Sequence, residues 1–227
     1  MPALRNIVAP PPAPAAPVML ERCELCEAFA IASSSIRAPL GAGEEIFRQG
    51  DRASLVYRVL KGAVISYRLL NDGRRQVTEF HVAGDFLGLE AGQEYRTTAE
   101  ALGSTTIATV RRADLAGLAA ADSGLARALW QMSVGAFQRS EDHAMILARQ
   151  GATERVVAFL LDYADRLETL DLVDLPMTRQ DMADHLGLTI HTVSRTLSQL
   201  QTAGLIEARS SRHVRLIRRD LLERIRA

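Results

Sequence analysis

His191, Ser194 and Arg195 stand at i, i+3 and i+4, a spacing that places three polar side chains on one face of a helix. Each brings a different hydrogen-bonding chemistry. The Arg195 guanidinium is a planar fork that can donate two bonds to O6 and N7 of guanine. The Ser194 hydroxyl both donates and accepts. Neutral His191 accepts through one ring nitrogen and donates through the other, whereas the imidazolium only donates. Such a set reads base edges in the major groove when its helix is the second of a helix-turn-helix. Elsewhere no nucleophile stands with a base in a recognisable motif, and Asp85 and the scattered histidines have no motif context. An enzyme is therefore not expected.

The elements that must position these residues lie within Thr178–Ala203, TRQDMADHLGLTIHTVSRTLSQLQTA. Thr178 with Asp181 three residues on approximates a capping box. Met182 and Leu186, with small Ala183 beside them, form one buried stripe. Gly187 can take the left-handed conformation that ends a helix, Leu188 anchors the turn, and Thr189 caps the next helix. Ile190, Val193, Leu197 and Leu200 recur at three- and four-residue steps and mark its inner face. A helical hairpin in an enzyme core is the bland alternative, and the segment that follows argues against it. Gly204 stops the helix, Leu205–Ala208 reads as a strand, residues 209–212 as a turn, and His213–Ile217 as the returning strand. That is a winged helix, with Arg209, Arg212, Arg215, Arg218 and Arg219 gathered on the wing. Thr178, Arg179, Gln180, Thr189, Thr192, Arg209 and Arg212 are the candidates for DNA-backbone contacts.

The whole chain is not a polycation: 27 basic residues balance 27 acidic ones over 227 residues. The basic excess is local, since residues 178–219 hold seven Arg against three acids. Lys61 is the only lysine, which reads as coding bias rather than function. A hydrophobic content of 48% and this length suit two small domains. No run approaches the ~18 apolar residues of a membrane span, and no apolar signal core opens the chain. A cytoplasmic location without membrane contact is expected. Residues 1–19 contain APPPAPAAP and are expected to form a flexible tail.

Cys23 and Cys26 are the only cysteines, so no disulfide framework holds the fold. A [4Fe–4S] cluster needs four thiolates or substitutes, and a zinc site needs further ligands. No metal site is expected; Cys23 and Cys26 are its only candidates, as reduced thiols or in a redox or metal role.

Upstream, apolar and polar residues alternate between glycine turns. Arg37–Phe47, Ser54–Leu60, Ala63–Leu70, Arg74–Val82 and Thr98–Arg111 read as strands of a small β-roll or jelly roll within residues 20–122. From Ser123 to Arg149 runs a proline-free helix, filling a segment of residues 123–150. Leu125, Leu129, Met132, Ala136, Arg139, His143 and Ile146 form a seam suited to a parallel coiled-coil contact. Ala126, Trp130, Phe137 and Leu147 form a neighbouring stripe that would pack on the roll. Gly151 marks a hinge, and Thr153–Leu167 opens the C-terminal domain, residues 151–227. The fold expected is α+β: a β-roll, a long dimerisation helix, and a winged helix-turn-helix.

The ordered series Val59-Leu60-Lys61-Gly62, Asn71-Asp72-Gly73-Arg74 and Gly84-Asp85-Phe86-Leu87-Gly88, followed by the long helix and Leu188–Arg195, resembles the Crp–Fnr transcription factors. The resemblance spans residues 20–227, is strongest to the FixK/Fnr branch, and implies that the β-roll is a cyclic-nucleotide-binding-like domain. It implies a homodimer on double-stranded DNA that recruits RNA polymerase, often for low-oxygen or nitrogen-fixation genes. It implies a palindrome like TTGAT-N4-ATCAA. Arg195 falls on the family's guanine-reading arginine and Ser194 on the Fnr-like serine. His191 departs, since most relatives carry glutamate there. The Asn71–Gln76 turn is a candidate polymerase surface. Cyclic-AMP-binding relatives hold the phosphate with an arginine-serine pair after a glycine-glutamate pair. Here only Glu90 and Arg96-Thr97 match in part, so neither cyclic AMP nor another cofactor is expected. A sensor that binds a small molecule in the roll, or responds through Cys23 and Cys26, is the alternative.

Overall fold

A computed structural model describes residues 35–36, 39–90 and 92–226. The expected tail and Cys23 and Cys26 lie outside the described residues. Glycine-punctuated alternation gives eight short strands: β1 (Ser35–Ile36), β2 (Glu45–Phe47), β3 (Leu55–Lys61), β4 (Ala63–Leu69), β5 (Arg75–Val82), β6 (Phe86–Leu87), β7 (Thr98–Ala101) and β8 (Thr106–Arg111). They form two four-stranded antiparallel sheets, in the orders β1-β8-β3-β6 and β2-β7-β4-β5. Residues facing inward from both sheets, among them Ile46, Tyr57, Val59, Val64, Leu87 and Ile107, make the core of the roll.

Two expected strands are corrected. Arg37–Phe47 is not continuous, because the turn at residues 41–44 interrupts it; the Glu44 carboxylate accepts from the Gly41 N–H at 2.7 Å. Thr98–Arg111 splits at residues 102–105, and its halves join different sheets. Against that split lies Gly62, at φ +85°, where an added Cβ would stand 2.5 Å from the Ser104 carbonyl oxygen. Only glycine lets these two turns meet so closely.

Helix α1 (Arg112–Ala121) follows the roll, an element the alternation pattern did not announce. The Asp122 carboxylate then accepts from the N–H groups of Gly124 and Leu125, which caps α2 (Ser123–Ala148). The long helix is where expected, but most of the expected seam is covered by its own chain, and much of the neighbouring stripe is not. Leu125 is 1% exposed and packs with Val56, Val110 and Leu115, and Leu129 and Met132 lie against the same cluster. Ile146, at 6%, joins the core of the C-terminal domain, and His143 stacks on His185. Arg139 pairs with Glu79 at 2.6 Å. The expected seam thus faces its own chain. Trp130 and Phe137, expected on the roll, are 71% and 63% exposed, in line with Val134 and Met145.

After a break at residues 149–151, α3 (Ala152–Arg166) buries Val156, Val157, Phe159, Leu160 and Tyr163. The connection expected at Leu170–Leu175 holds a strand, β9 (Leu172–Asp174). It pairs with β11 (His213–Leu216), whose other edge carries β10 (Ile206–Ala208). The winged sheet therefore has three strands, and α6 (Arg219–Arg226) closes the described chain. Among the described residues no helix is long and apolar enough to cross a membrane.

Candidate nucleic-acid interface

The helix-turn-helix forms from local signals. Thr178 Oγ1 accepts from the Asp181 N–H, and the Asp181 carboxylate accepts from the Thr178 N–H at 2.8 Å, a complete capping box for α4 (Arg179–Leu186). Gly187 ends α4 in the left-handed conformation, φ 61° and ψ 39°. Thr189 Oγ1 then accepts from the Thr192 N–H at 3.1 Å and starts α5 (Ile190–Thr202). Met182, Ala183 and Leu186 on α4, and Val193, Leu197 and Leu200 on α5, are buried in one core with α3. Burying each large aliphatic side chain contributes about 1.5–3 kcal/mol, so the two helices move as one body.

Ile190 departs from the expected inner face. It is 38% exposed, because Leu188 in the turn already occupies the adjoining edge of the core. Ile190 therefore lies on the outer surface at the first turn of α5, beside His191. A β-branched residue directly after a cap, two positions from a leucine that packs on the core, was the signal available in the sequence.

His191, Ser194 and Arg195 are exposed together on α5. Among the described residues, none of the three side chains is held by a hydrogen bond or ion pair. Their donors and acceptors are free for a partner.

The candidate backbone contacts divide. Thr178 and Asp181 satisfy each other. Arg179 is half-buried with a guanidinium N–H 3.2 Å from Met182 Sδ, and burial lowers its pKa. Gln180 donates to Asp184 at 2.6 Å. The Thr189 and Thr192 hydroxyls meet at 2.9 Å. Arg209 and Arg212 are exposed in the wing turn, Arg209 with Glu207 at 3.3 Å. The wing is less basic than its sequence, for three further arginines besides Arg209 have acidic partners. Arg215 faces Asp171, Arg218 faces Asp220, and Arg219, already in α6, pairs with Asp165.

A second interface joins this domain to the roll. Ile65, Tyr67, Val77 and Phe80 belong to the same buried cluster as α3 and α4. Around it run polar links. Arg75 binds both Asp181 and Asp184, the latter at 2.9 Å, and lies over the Tyr67 ring. Burial opposes the Arg75 charge, but bonds and charge from Asp184 and Asp181 outweigh it and raise its pKa. His185 Nδ1 lies 3.2 Å from the Val77 carbonyl oxygen, and His143 Nε2 lies 2.8 Å from the His185 carbonyl oxygen. The two imidazoles stack at 3.9 Å, almost parallel. Burial pushes the His185 pKa down to about 3, with His143 acting in the same direction. Arg166 donates to the Phe80 carbonyl oxygen and to Asp85, at 2.9 and 2.7 Å. Burial alone would raise the Glu79 pKa, yet His81, Arg139 and Arg166 around it hold it below the usual carboxylate range.

Residues 154–225 match the Crp-like helix-turn-helix domain, and residues 37–122 match the cyclic nucleotide-binding domain. The chain belongs to the Crp/Fnr family. It is similar to the nitrogen fixation regulation protein FixK of Azorhizobium caulinodans, 42% identical over 86% of this chain and 81% of that protein. The FixK protein of Rhizobium meliloti is 40% identical, covering 79% and 82%. The solved structure of FixK2 from Bradyrhizobium japonicum superposes with a TM-score of 0.81 at 42% identity, over 85% of this chain and 97% of that one. A Crp/Fnr chain with this winged helix-turn-helix is a DNA-binding transcriptional regulator, and on α5 the exposed polar set is His191, Ser194 and Arg195. Residue identity and spacing located that set. The Arg75 link to Asp181 and Asp184 had no sequence signal, because its partners lie 106 and 109 residues away.

Proposed function

We propose that the protein is a FixK-like activator, binding as a homodimer to a palindrome of the TTGAT-N4-ATCAA type and controlling low-oxygen or nitrogen-fixation genes. The observation that carries this reading is the free His191, Ser194 and Arg195 set on α5, in a chain 42% identical to a FixK protein. Arg195 donates to guanine, Ser194 meets a thymine or a phosphate, and Ile190 offers an apolar surface to a thymine methyl group. His191 reads one base position differently from a glutamate. Arg209 and Arg212 on the wing meet phosphates.

The homodimer forms through the exposed stripe of Trp130, Val134, Phe137 and Met145 on α2. Four large apolar side chains on one helix face have the character of an interface core. In a two-fold dimer the recognition helices enter successive major grooves about 34 Å apart. RNA polymerase meets the tip of the β4–β5 hairpin, where residues 68–74 are exposed. Arg75 and Gln76, part of the turn expected to serve that contact, instead face α4. The protein works in the cytoplasm and does no catalysis.

It also acts without a cyclic nucleotide. The donors do not suit one, since Arg96 is exposed and Glu90 Oε1 lies 3.4 Å from the Arg96 backbone N–H. Beside it Tyr95 is buried in the roll, stacked on Phe47 at 4.0 Å and hydrogen-bonded to Leu55. Selection of bound sites from random DNA, with and without oxygen, tests the reading. Enrichment of a two-half-site palindrome is expected. Enrichment of unrelated sequence, or of none, refutes it.

A further inference from the structure

We propose that Arg75 is a positioning residue for DNA reading: by clasping α4 to the roll it sets the half-site spacing the dimer accepts. The inference rests on the homodimeric reading above. Helix α3 is held to the rest of the chain at both ends. At its start Arg155 Nε donates to the Arg149 carbonyl oxygen at 2.8 Å, pinning the break after α2. At its end Arg166 binds Asp85 and the Phe80 carbonyl oxygen. Two fixed ends define an axis and leave one motion, rotation of the C-terminal domain about α3.

The contacts that oppose this rotation lie off the axis, on α4. The Arg75 guanidinium reaches Asp184 through two nitrogens, at 3.0 and 2.9 Å, and also binds Asp181. Asp181 is the acid of the capping box, so one carboxylate both starts α4 and holds it to the roll. Gln76 Nε2 and His143 Nε2, 3.4 and 2.8 Å from the His185 carbonyl oxygen, and His185 Nδ1 beside Val77 add uncharged links between α4 and the rest of the chain. Both acids are at least largely buried and Arg75 is mostly covered, so water screens the pair less than a surface one.

The rotation has a direct consequence for DNA. Helix α5 packs on α3, and packed helices lie about 8–10 Å apart. A rotation of about 20° would then carry α5 by ~3 Å, close to the ~3.4 Å rise of one base pair. A domain free to rotate that far reads half-sites one base pair closer or further apart. The clasp thus converts a fixed angle into a spacer preference.

The experiment measures affinity of the full-length protein for palindromes whose spacers differ by one base pair, with a single half-site as control. The proteins compared are wild type, Arg75→Ala, Asp184→Asn, the double variant and Arg75→Lys. Wild type should prefer one spacer. Arg75→Ala and Asp184→Asn should each reduce that preference by roughly fivefold, with single-half-site binding unchanged. The double variant should lose no more than Arg75→Ala, and Arg75→Lys should recover part of the preference. If Arg75→Ala does not fold, Asp184→Asn and Arg75→Lys carry the test. Equal weakening at every spacer, or spacer profiles that match wild type, overturns the inference. Wild type that binds palindromes no better than one half-site overturns the homodimeric reading instead.

Discussion

Lowering the pH should loosen the fold through His185, and the loss can be worked from its surroundings. The ring lies against His143 of α2, Phe80 and the Val77 carbonyl of β5, and Phe159 of α3, with Glu79 and Arg166 as the nearby charges. Burial, then His143, lowers its pKa to about 3, against an unfolded value near 6.5. Between these values the unfolded chain binds the proton and the folded one does not. Stability therefore rises with pH across this window, is fully present above about pH 6.5, and falls as acid is added. From about pH 7 to about pH 5 the linkage integral gives a loss of about 2 kcal/mol from this one group. The pKa values of His143 and His81, also lowered mainly by burial, act in the same direction. His185→Asn isolates the effect, because the amide nitrogen can still donate to the Val77 carbonyl while the titrating ring is gone. Urea unfolding at fixed protein concentration, in steps across this pH range, should show wild type losing about 2 kcal/mol more than the variant. Equal pH slopes in the two proteins would mean that the ring charges without penalty, and the buried neutral stack would be wrong.

Other outcomes follow from the same geometry. Arg195→Ala should cost about 1–3 kcal/mol of discrimination at the guanine it reads, measured by fluorescence anisotropy on matched and mismatched sites, with the sedimentation coefficient unchanged. Phe137→Glu places a charge in the exposed stripe of α2 and should shift sedimentation velocity toward monomer; a variant that stays dimeric removes that stripe as the interface. Thr178→Ala deletes the hydroxyl of the capping box and should lower stability by about 1 kcal/mol in chemical denaturation. His191→Glu should change the base enriched at a single position of the selected site, and an identical motif for both proteins refutes a base-reading role for His191.

The helix-turn-helix was legible because its signals are local. Thr178 and Asp181 cap within one turn, Gly187 reverses the chain, and Val193, Leu197 and Leu200 share a face whatever packs on it. The long helix shows the opposite case. Its length could be read, but both stripes are apolar, and which one turns inward depends on surfaces far away in sequence. The two polar members of the expected seam held the missing information. Arg139 and His143 sit poorly between two copies of one helix, where each would approach its own like. Within the chain each meets a complementary partner, Glu79 for Arg139 and the His185 carbonyl oxygen for His143. Matching those side chains to partners on β5 and α4 turns the seam inward and leaves Trp130 and Phe137 outside. The short strand β9 was missed for a related reason. Leu172–Asp174 is too brief to show alternation, and only pairing with β11 makes it a strand. What sequence could not supply was therefore contact between distant segments, and the same kind of contact, Arg75 with Asp181 and Asp184, is what holds the legible reading helix to the roll.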